Sequence, residues 1–299
     1  MSKKEPLFQS HFGFFRPFLM VALSLPLFIR QASAQQPQNI FDFQYTYSSP
    51  SDSDFNNEIT LHEGKVELVV PLSDRKNEGV GFVVGGAFQA NLWQPDNSRL
   101  DDVDLYKLKV PLYMDLDAFR EDFVFGLGVT PGIHSDFKEI DDDDFRVEGS
   151  ISLTYISSPT LQYIAGILYD EEFGDPRAYP LFGALWQASD NWLLDMVFPK
   201  PRAQYSVSER FRLFAFGEPS GGAWNVGDDV DTKRDIEQKG YRLGAGLEVG
   251  LSKKSWIYLA GGAEFSRELQ VAINDDKVFD DKVELEDQTF VRIGFRISR

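Results

Sequence analysis

Residues 239 to 250, KGYRLGAGLEVG, alternate strictly. Tyr241, Leu243, Ala245, Leu247 and Val249 fall on one face of an extended strand, and Arg242, Gly244, Gly246, Glu248 and Gly250 on the other. The same period of two recurs from residue 40 onward. Phe41, Phe43, Tyr45 and Tyr47 alternate with Asp42, Gln44 and Thr46; Tyr106, Leu108 and Val110 alternate with Lys107 and Lys109; Val291, Ile293, Phe295 and Ile297 alternate with Arg292, Gly294 and Arg296. No stretch of comparable length carries a helical period, so the chain is expected to be all-β. The pattern predicts fourteen strands, at 40–47, 58–70, 79–92, 103–115, 121–133, 144–156, 160–169, 178–188, 190–198, 201–207, 209–217, 237–250, 255–268 and 285–298. Twelve is the alternative, because PKP (199–201) can bend one strand instead of ending it; GGAWNV (221–226) can also supply a further strand.

The connections sort by length. Short polar turns fall at 157–160, 188–191, 206–210 and 252–255; long connections fall at 48–57, 92–103, 133–144, 170–178, 218–236 and 269–284. Acidic clusters concentrate in the long ones, including Asp101, Asp102 and Asp104, Asp141 to Asp144, Asp228, Asp229 and Asp231, and Asp275, Asp276, Asp280 and Asp281. Aromatic residues flank the short turns: Tyr155, Trp186, Trp192, Tyr205 and Trp256. A barrel in an outer membrane has short periplasmic turns, longer extracellular loops and aromatic girdles at the interfaces. The faces opposite the apolar ones carry small residues and sparse charges of both signs, which suits a barrel interior. The expectation is therefore a single closed antiparallel up-and-down transmembrane β-barrel, with the apolar faces toward lipid.

Composition and charge narrow the function. Residues 1–34 read as a signal peptide: Lys3, Lys4 and Arg16 precede the apolar stretch 18–29, and Ala32-Ser33-Ala34 is a small-residue cleavage pattern. The barrel is then assigned to 35–299. The segment carries four basic residues and one acidic, so its removal takes the net charge from −17 to −20. No nucleic acid is expected to bind so acidic a surface. The chain has no cysteine, which excludes thiol catalysis and cysteine-ligated metals.

Candidate chemistry is sparse. His11 leaves with the signal peptide, His62 lies on a strand, and His134-Ser135-Asp136 cannot form a triad by itself because adjacent residues point apart; the simple reading of His134 is a solvated loop histidine. Asp141 to Asp144 lack the glycine and closing glutamate of a calcium loop and read as solvated charge; the alternative is a weak divalent site bridging to lipopolysaccharide phosphates. No enzymatic activity, metal or cofactor is expected.

The chain resembles bacterial outer-membrane β-barrel proteins. Its last strand, Arg292-Ile293-Gly294-Phe295-Arg296-Ile297-Ser298-Arg299, is similar to the signal by which that class is recognised by the barrel-assembly machinery, and differs at the terminal position, where the class carries Phe or Tyr. The stretch 192–216, followed by GGAW, resembles one barrel family of unknown function in Gram-negative bacteria. The resemblance implies a fold and an outer-membrane location among lipid and lipopolysaccharide, and no activity.

Two functions stay open: a small-solute channel or transporter, and a closed structural or interaction barrel. A secreted soluble β-protein is the outsider. The tentative lumen-lining residues are Lys107, Lys109, Asp115, Arg146, Glu148, Asp195, Arg242, Glu248, Arg292 and Arg296. Small inward residues, among them Gly126, Gly128, Ser150, Gly244, Gly246 and Gly294, are expected to leave room inside. Segment 218–236 is the candidate plug, because Trp224 and Val226 would otherwise be apolar residues in a water-facing loop. The acidic rim predicts a weak preference for cations.

Overall fold

The computed structural model describes residues 39–298 apart from 53–57, 74–78, 96–102, 118–121, 230–231, 274–275 and 278–282. The signal-peptide segment and several of the acidic clusters lie outside the described residues. One sheet contains all the strand segments: β1 (Asn39–Asp52), β2 (Glu58–Pro71), β3 (Val80–Pro95), β4 (Val103–Lys109), β5 (Leu112–Asp117), β6 (Phe123–Ser135), β7 (Phe145–Ser158), β8 (Leu161–Asp170), β9 (Arg177–Gln187), β10 (Trp192–Phe198), β11 (Arg202–Ser208), β12 (Phe211–Pro219), β13 (Gly222–Asp229), β14 (Thr232–Gly250), β15 (Ser255–Ile273), the short β16 (Asp276–Lys277) and β17 (Val283–Leu285), and β18 (Gln288–Ser298).

Neighbours pair antiparallel in chain order, and β1 pairs with β18 from Asn39↔Ser298 to Ser48↔Phe290, which closes the barrel. β4 and β5 are one strand interrupted at Val110-Pro111, since both pair with β3 and with β6. β12 and β13 are likewise two halves of one strand, both paired with β14. β16, β17 and β18 all pair with β15 and make one further strand, so the barrel has fourteen strands. The short strands flanking PKP are separate: β10 pairs with β9 on one side and β11 on the other.

The distribution of polarity is inverted relative to a soluble barrel. Leu243, Leu259, Val291, Ile293, Ile151, Val147 and Ile167 are exposed on the outer face, whereas Arg242, Glu248, Glu264, Arg267 and Arg292 are buried. The period-two pattern sets this directly, because each strand turns alternate residues outward. A wall that is apolar outside and charged inside suits hydrocarbon as its solvent, and closure leaves no unpaired sheet edge to face it.

Segment 218–236 departs from its expected form. It is a hairpin arm, with β13 paired to β14 from Gly222↔Gln238 to Asp229↔Thr232, and not a loop. The wall on the β8–β11 side is low, those strands having 7 to 11 residues, while β14 and β15 have 19 each. The free edge of β13 therefore has no tall neighbour beside it and bridges to the end of β6, where Asn225 aligns parallel with Ser135.

The inward glycines also differ from expectation. Much of the space they leave is taken by larger side chains from neighbouring strands: Tyr258 lies over Gly294, Tyr113 over Gly128, and Phe216 and Phe290 over Gly244. The interior is consequently packed at these positions, and open chambers remain beside them.

The outward assignment has a measurable consequence. Leu259→Arg is expected to destabilise the barrel in lipid vesicles by about 2 to 4 kcal/mol if the position lies at mid-bilayer. Ser150→Arg, which faces an interior chamber beside Glu148 and Asp170, is expected to fold normally. Equal stability of the two variants in denaturant titrations would contradict the assignment of faces.

Candidate functional site: the barrel interior

Three layers occupy the interior. At the long-connection end an apolar cluster joins Leu61, Trp93, Leu105, Trp224, Val226, Ile236 and Leu285. Trp224 and Val226 are 1 % and 3 % exposed, so the arm does bury the two apolar residues that the sequence singled out. Beneath them the Lys107 ammonium sits 4.4 Å from the centre of the Trp224 ring, a cation–π contact that ties the arm to the β4 wall. Asn225 Nδ2 donates to Asp141 Oδ1 at 3.3 Å and holds the arm's tip against the β6–β7 connection.

Asp141, Asp142 and Asp143 are exposed, as solvated charge should be, and only Asp144 is buried. Asp141 accepts from the Asp143 backbone N–H at 2.8 Å, and Asp144 accepts from the Asp141 N–H at 2.9 Å. The two carboxylates close a single 3-10 turn as a reciprocal cap. Among the described residues no three acidic, histidine or cysteine side chains are placed to hold a metal ion.

The second layer is a network of paired charges. Arg242 reaches Glu63 at 3.0 Å and Glu264 at 3.2 Å. Glu63 is on β2 and Arg242 on β14, with three barrel strands between them along the wall, so this contact spans the interior as a chord. Glu264 also accepts from Ser220 Oγ at 2.6 Å and Gln288 Nε2 at 2.8 Å. Arg292 pairs with Glu218 and donates from Nε to Thr46 Oγ1 at 2.9 Å. Shared partners of this kind leave few lone pairs unused, which a dry interior requires.

A second group gathers where two connections fold inward. Lys109 pairs with Glu148 at 2.5 Å, and Lys200 with Glu172 at 2.5 Å, across 39 and 28 residues of sequence. Burial alone would raise the Glu172 carboxyl, yet Lys200 and then Lys109 beside it hold it down at about 2. Glu171 behaves oppositely: burial pushes it above the usual carboxylate range despite the pull of Lys107 and Arg146.

His134 is fully buried at the end of β6, contrary to its reading as a solvated loop residue. Its Nδ1 lies 2.9 Å from Glu171 Oε2, and Arg146 Nε lies 2.9 Å from the other oxygen of that carboxylate. Its Nε2 has no hydrogen-bond partner among the described residues. Ser135 Oγ and Asp136 Oδ1 instead accept from the backbone N–H groups of Phe137 and Lys138, so the tripeptide assembles no triad. Glu171, Glu172 and Lys200 were not singled out by sequence reasoning. They sit in connections, where periodicity gives no facing.

The third feature is open space. One chamber of about 250 Å³ lies toward the short-turn end, bordered by Asp42, Arg202, Phe214, Glu248, Tyr258 and Arg296 among others. Another of about 290 Å³ lies along β5–β10, bordered by Tyr113, Thr130, Glu148, Ser150, Asp170 and Glu172 among others. Asp195 and Lys200 border both. Of the ten residues that the sequence placed on the interior, Asp195, Glu148, Glu248, Arg292 and Arg296 border a chamber. Lys107 and Arg242 are buried above, Lys109 and Arg146 pair with Glu148 and Glu171, and Asp115 lies over Gly126.

Fold and interior together define a membrane-spanning β-barrel with a charged, partly filled interior. The chain belongs to the family described as Domain of unknown function (DUF6268), whose model matches residues 116–298, more than half of the chain. No curated protein matches it. Among solved structures it is similar to an outer-membrane channel of Pseudomonas putida F1, at 10 % identity over 91 % of this chain and all of that one, with a TM-score of 0.45. It is also similar to the NanC porin, at 9 % identity over 87 % of this chain and all of that one, with a TM-score of 0.41. At such identities and scores the likeness adds nothing to what the strand pairing establishes.

The buried network is expected to be intolerant of partial removal. Arg242→Ala leaves Glu63 and Glu264 without their shared cation and is expected to cost about 3 to 5 kcal/mol. Combining Arg242→Met with Glu63→Gln and Glu264→Gln should recover most of that loss, as read from urea unfolding in vesicles.

Proposed function

We propose that this barrel is an outer-membrane channel for small solutes, closed at its outer end by the β13–β14 arm. The observation that carries this reading is the pair of interior chambers with charged and hydroxyl-bearing walls. Fourteen strands enclose more room than eight, where side chains alone fill the lumen. The belt of outward apolar residues and the short turns at one end support an outer-membrane location, with the long connections outside the cell and the turns at 157–160, 188–191 and 252–255 in the periplasm. Lipid and lipopolysaccharide are then its surroundings, and the barrel-assembly machinery inserts it.

The closed structural barrel remains the second reading, favoured by one observation: the apolar cluster around Trp224 and the Arg242–Glu63 pair both reach across the interior from one wall to another. The two readings differ in what happens when the cluster is loosened. Trp224→Ala, combined with Leu105→Ala to prevent simple collapse, is expected to give larger or more frequent conductance steps in planar bilayers than the unmodified protein. If neither form conducts above the lipid baseline, the channel reading fails. Orientation is tested separately: a cysteine at exposed Asp142 is expected to label on intact cells, and one at Ser252 only after the outer membrane is permeabilised.

A further inference from the structure

The chamber toward the short-turn end has a distinctive wall. Three arginines converge on one carboxylate: Arg202 reaches Glu248 at 2.5 Å, Arg296 pairs with its other oxygen, and Arg212 approaches that oxygen to 3.9 Å. The carboxylate side chain is 0 % exposed, whereas the arginine side chains keep 27 %, 11 % and 21 % of their surface. The neutralising charge thus lies behind the guanidinium groups. Of the three, Arg202 and Arg296 border the chamber, with Lys200 and Arg292 and the acids Asp42, Asp195 and Glu218, so a solute meets charges of both signs there.

Aromatic rings hold these groups in place. The Arg202 guanidinium lies 4.0 Å from the centre of the Phe214 ring, and that of Arg212 lies 3.5 Å from the Trp256 ring. Phe214 packs edge-on to Tyr258 at 6.3 Å, and Tyr258 donates to Asp42 at 3.0 Å. Gly294 makes this possible, because a Cβ there would collide with the Tyr258 ring. The wall therefore offers planar, pre-oriented guanidinium donors beside the aromatic faces of Phe214, Phe216 and Tyr258. Guanidinium forks match the two oxygens of a carboxylate, and a ring surface suits an apolar or planar body attached to it.

We infer that this chamber is a binding site for small organic carboxylates, held by Arg202 and Arg296 against the Phe214–Tyr258 wall. Its part in solute passage rests on the channel reading; binding itself does not. The acidic rim favours cations only during approach, through solvent that screens it, whereas the interior arginines act where screening is weak.

Purified protein in detergent, titrated calorimetrically with benzoate, benzylamine and benzyl alcohol, tests this without any variant. Saturable binding of benzoate, and weaker or no binding of the other two, is expected. Arg202→Gln should weaken benzoate binding about tenfold, the equivalent of one charge-assisted hydrogen bond, and Arg202→Lys should restore part of it. Retention of the folded band in unheated gel electrophoresis identifies variants that still form the barrel. Benzylamine binding as tightly as benzoate, no saturable benzoate binding, or indifference of a folded Arg202→Gln variant would each overturn the proposal. Inorganic phosphate competing as well as benzoate would reassign the site to oxyanions in general and overturn the carboxylate assignment. In bilayers, benzoate binding without any conductance would sink the channel reading and leave the site intact.

Discussion

Closure of the sheet between β1 and β18 is the constraint on which the rest depends. In hydrocarbon no water can satisfy a backbone N–H or C=O, so a sheet that did not return to its first strand would leave two rows of unpaired groups. The register from Asn39↔Ser298 to Ser48↔Phe290 removes both rows at once. It also fixes facing: with Ile293 and Val291 outward, Arg292 and Gly294 must point in, and each neighbouring strand inherits its parity through the ladder.

Charges forced inward in this way have to find partners there. Strand neighbours supply some, such as Lys65 and Glu67, but the main contacts run across the barrel, from Arg242 on β14 to Glu63 on β2 and from Lys109 on β4 to Glu148 on β7. Such chords pull the walls together by sharing partners: Glu264 and Glu248 each serve several donors. The aromatic residues that lie over inward glycines do the same for apolar surface. Together they divide the interior into an apolar end under the β13–β14 arm, a charged middle and open chambers.

The uneven height of the wall explains the cap. Where β8–β11 stop short, the connections 171–176 and 199–201 turn inward and bring Glu171, Glu172 and Lys200 to the interior, and Gly221 N donates to Glu172 O at 3.0 Å beneath the arm. The arm then crosses above them to β6. A low wall on one side and a folded arm on the other are two results of the same difference in strand length.

The fourteen strands and their facing were legible in the sequence because a strand's side chains alternate with a period of two whatever their partners are. The burial of Trp224 and Val226 was legible for a related reason, since two apolar residues in a polar stretch need cover. Tertiary structure alone decided the rest. Periodicity says that Gly294 and Gly244 face inward but not that Tyr258 and Phe216 fill their space, because that depends on the stagger between strands. It marks Arg202, Arg212, Arg296 and Glu248 as inward polar residues without bringing them together, since they lie on four strands and meet only through the closed circumference. Nor could it show that His134 is buried against Glu171, a pairing set by an inward fold of a connection, where the chain has no alternation to read.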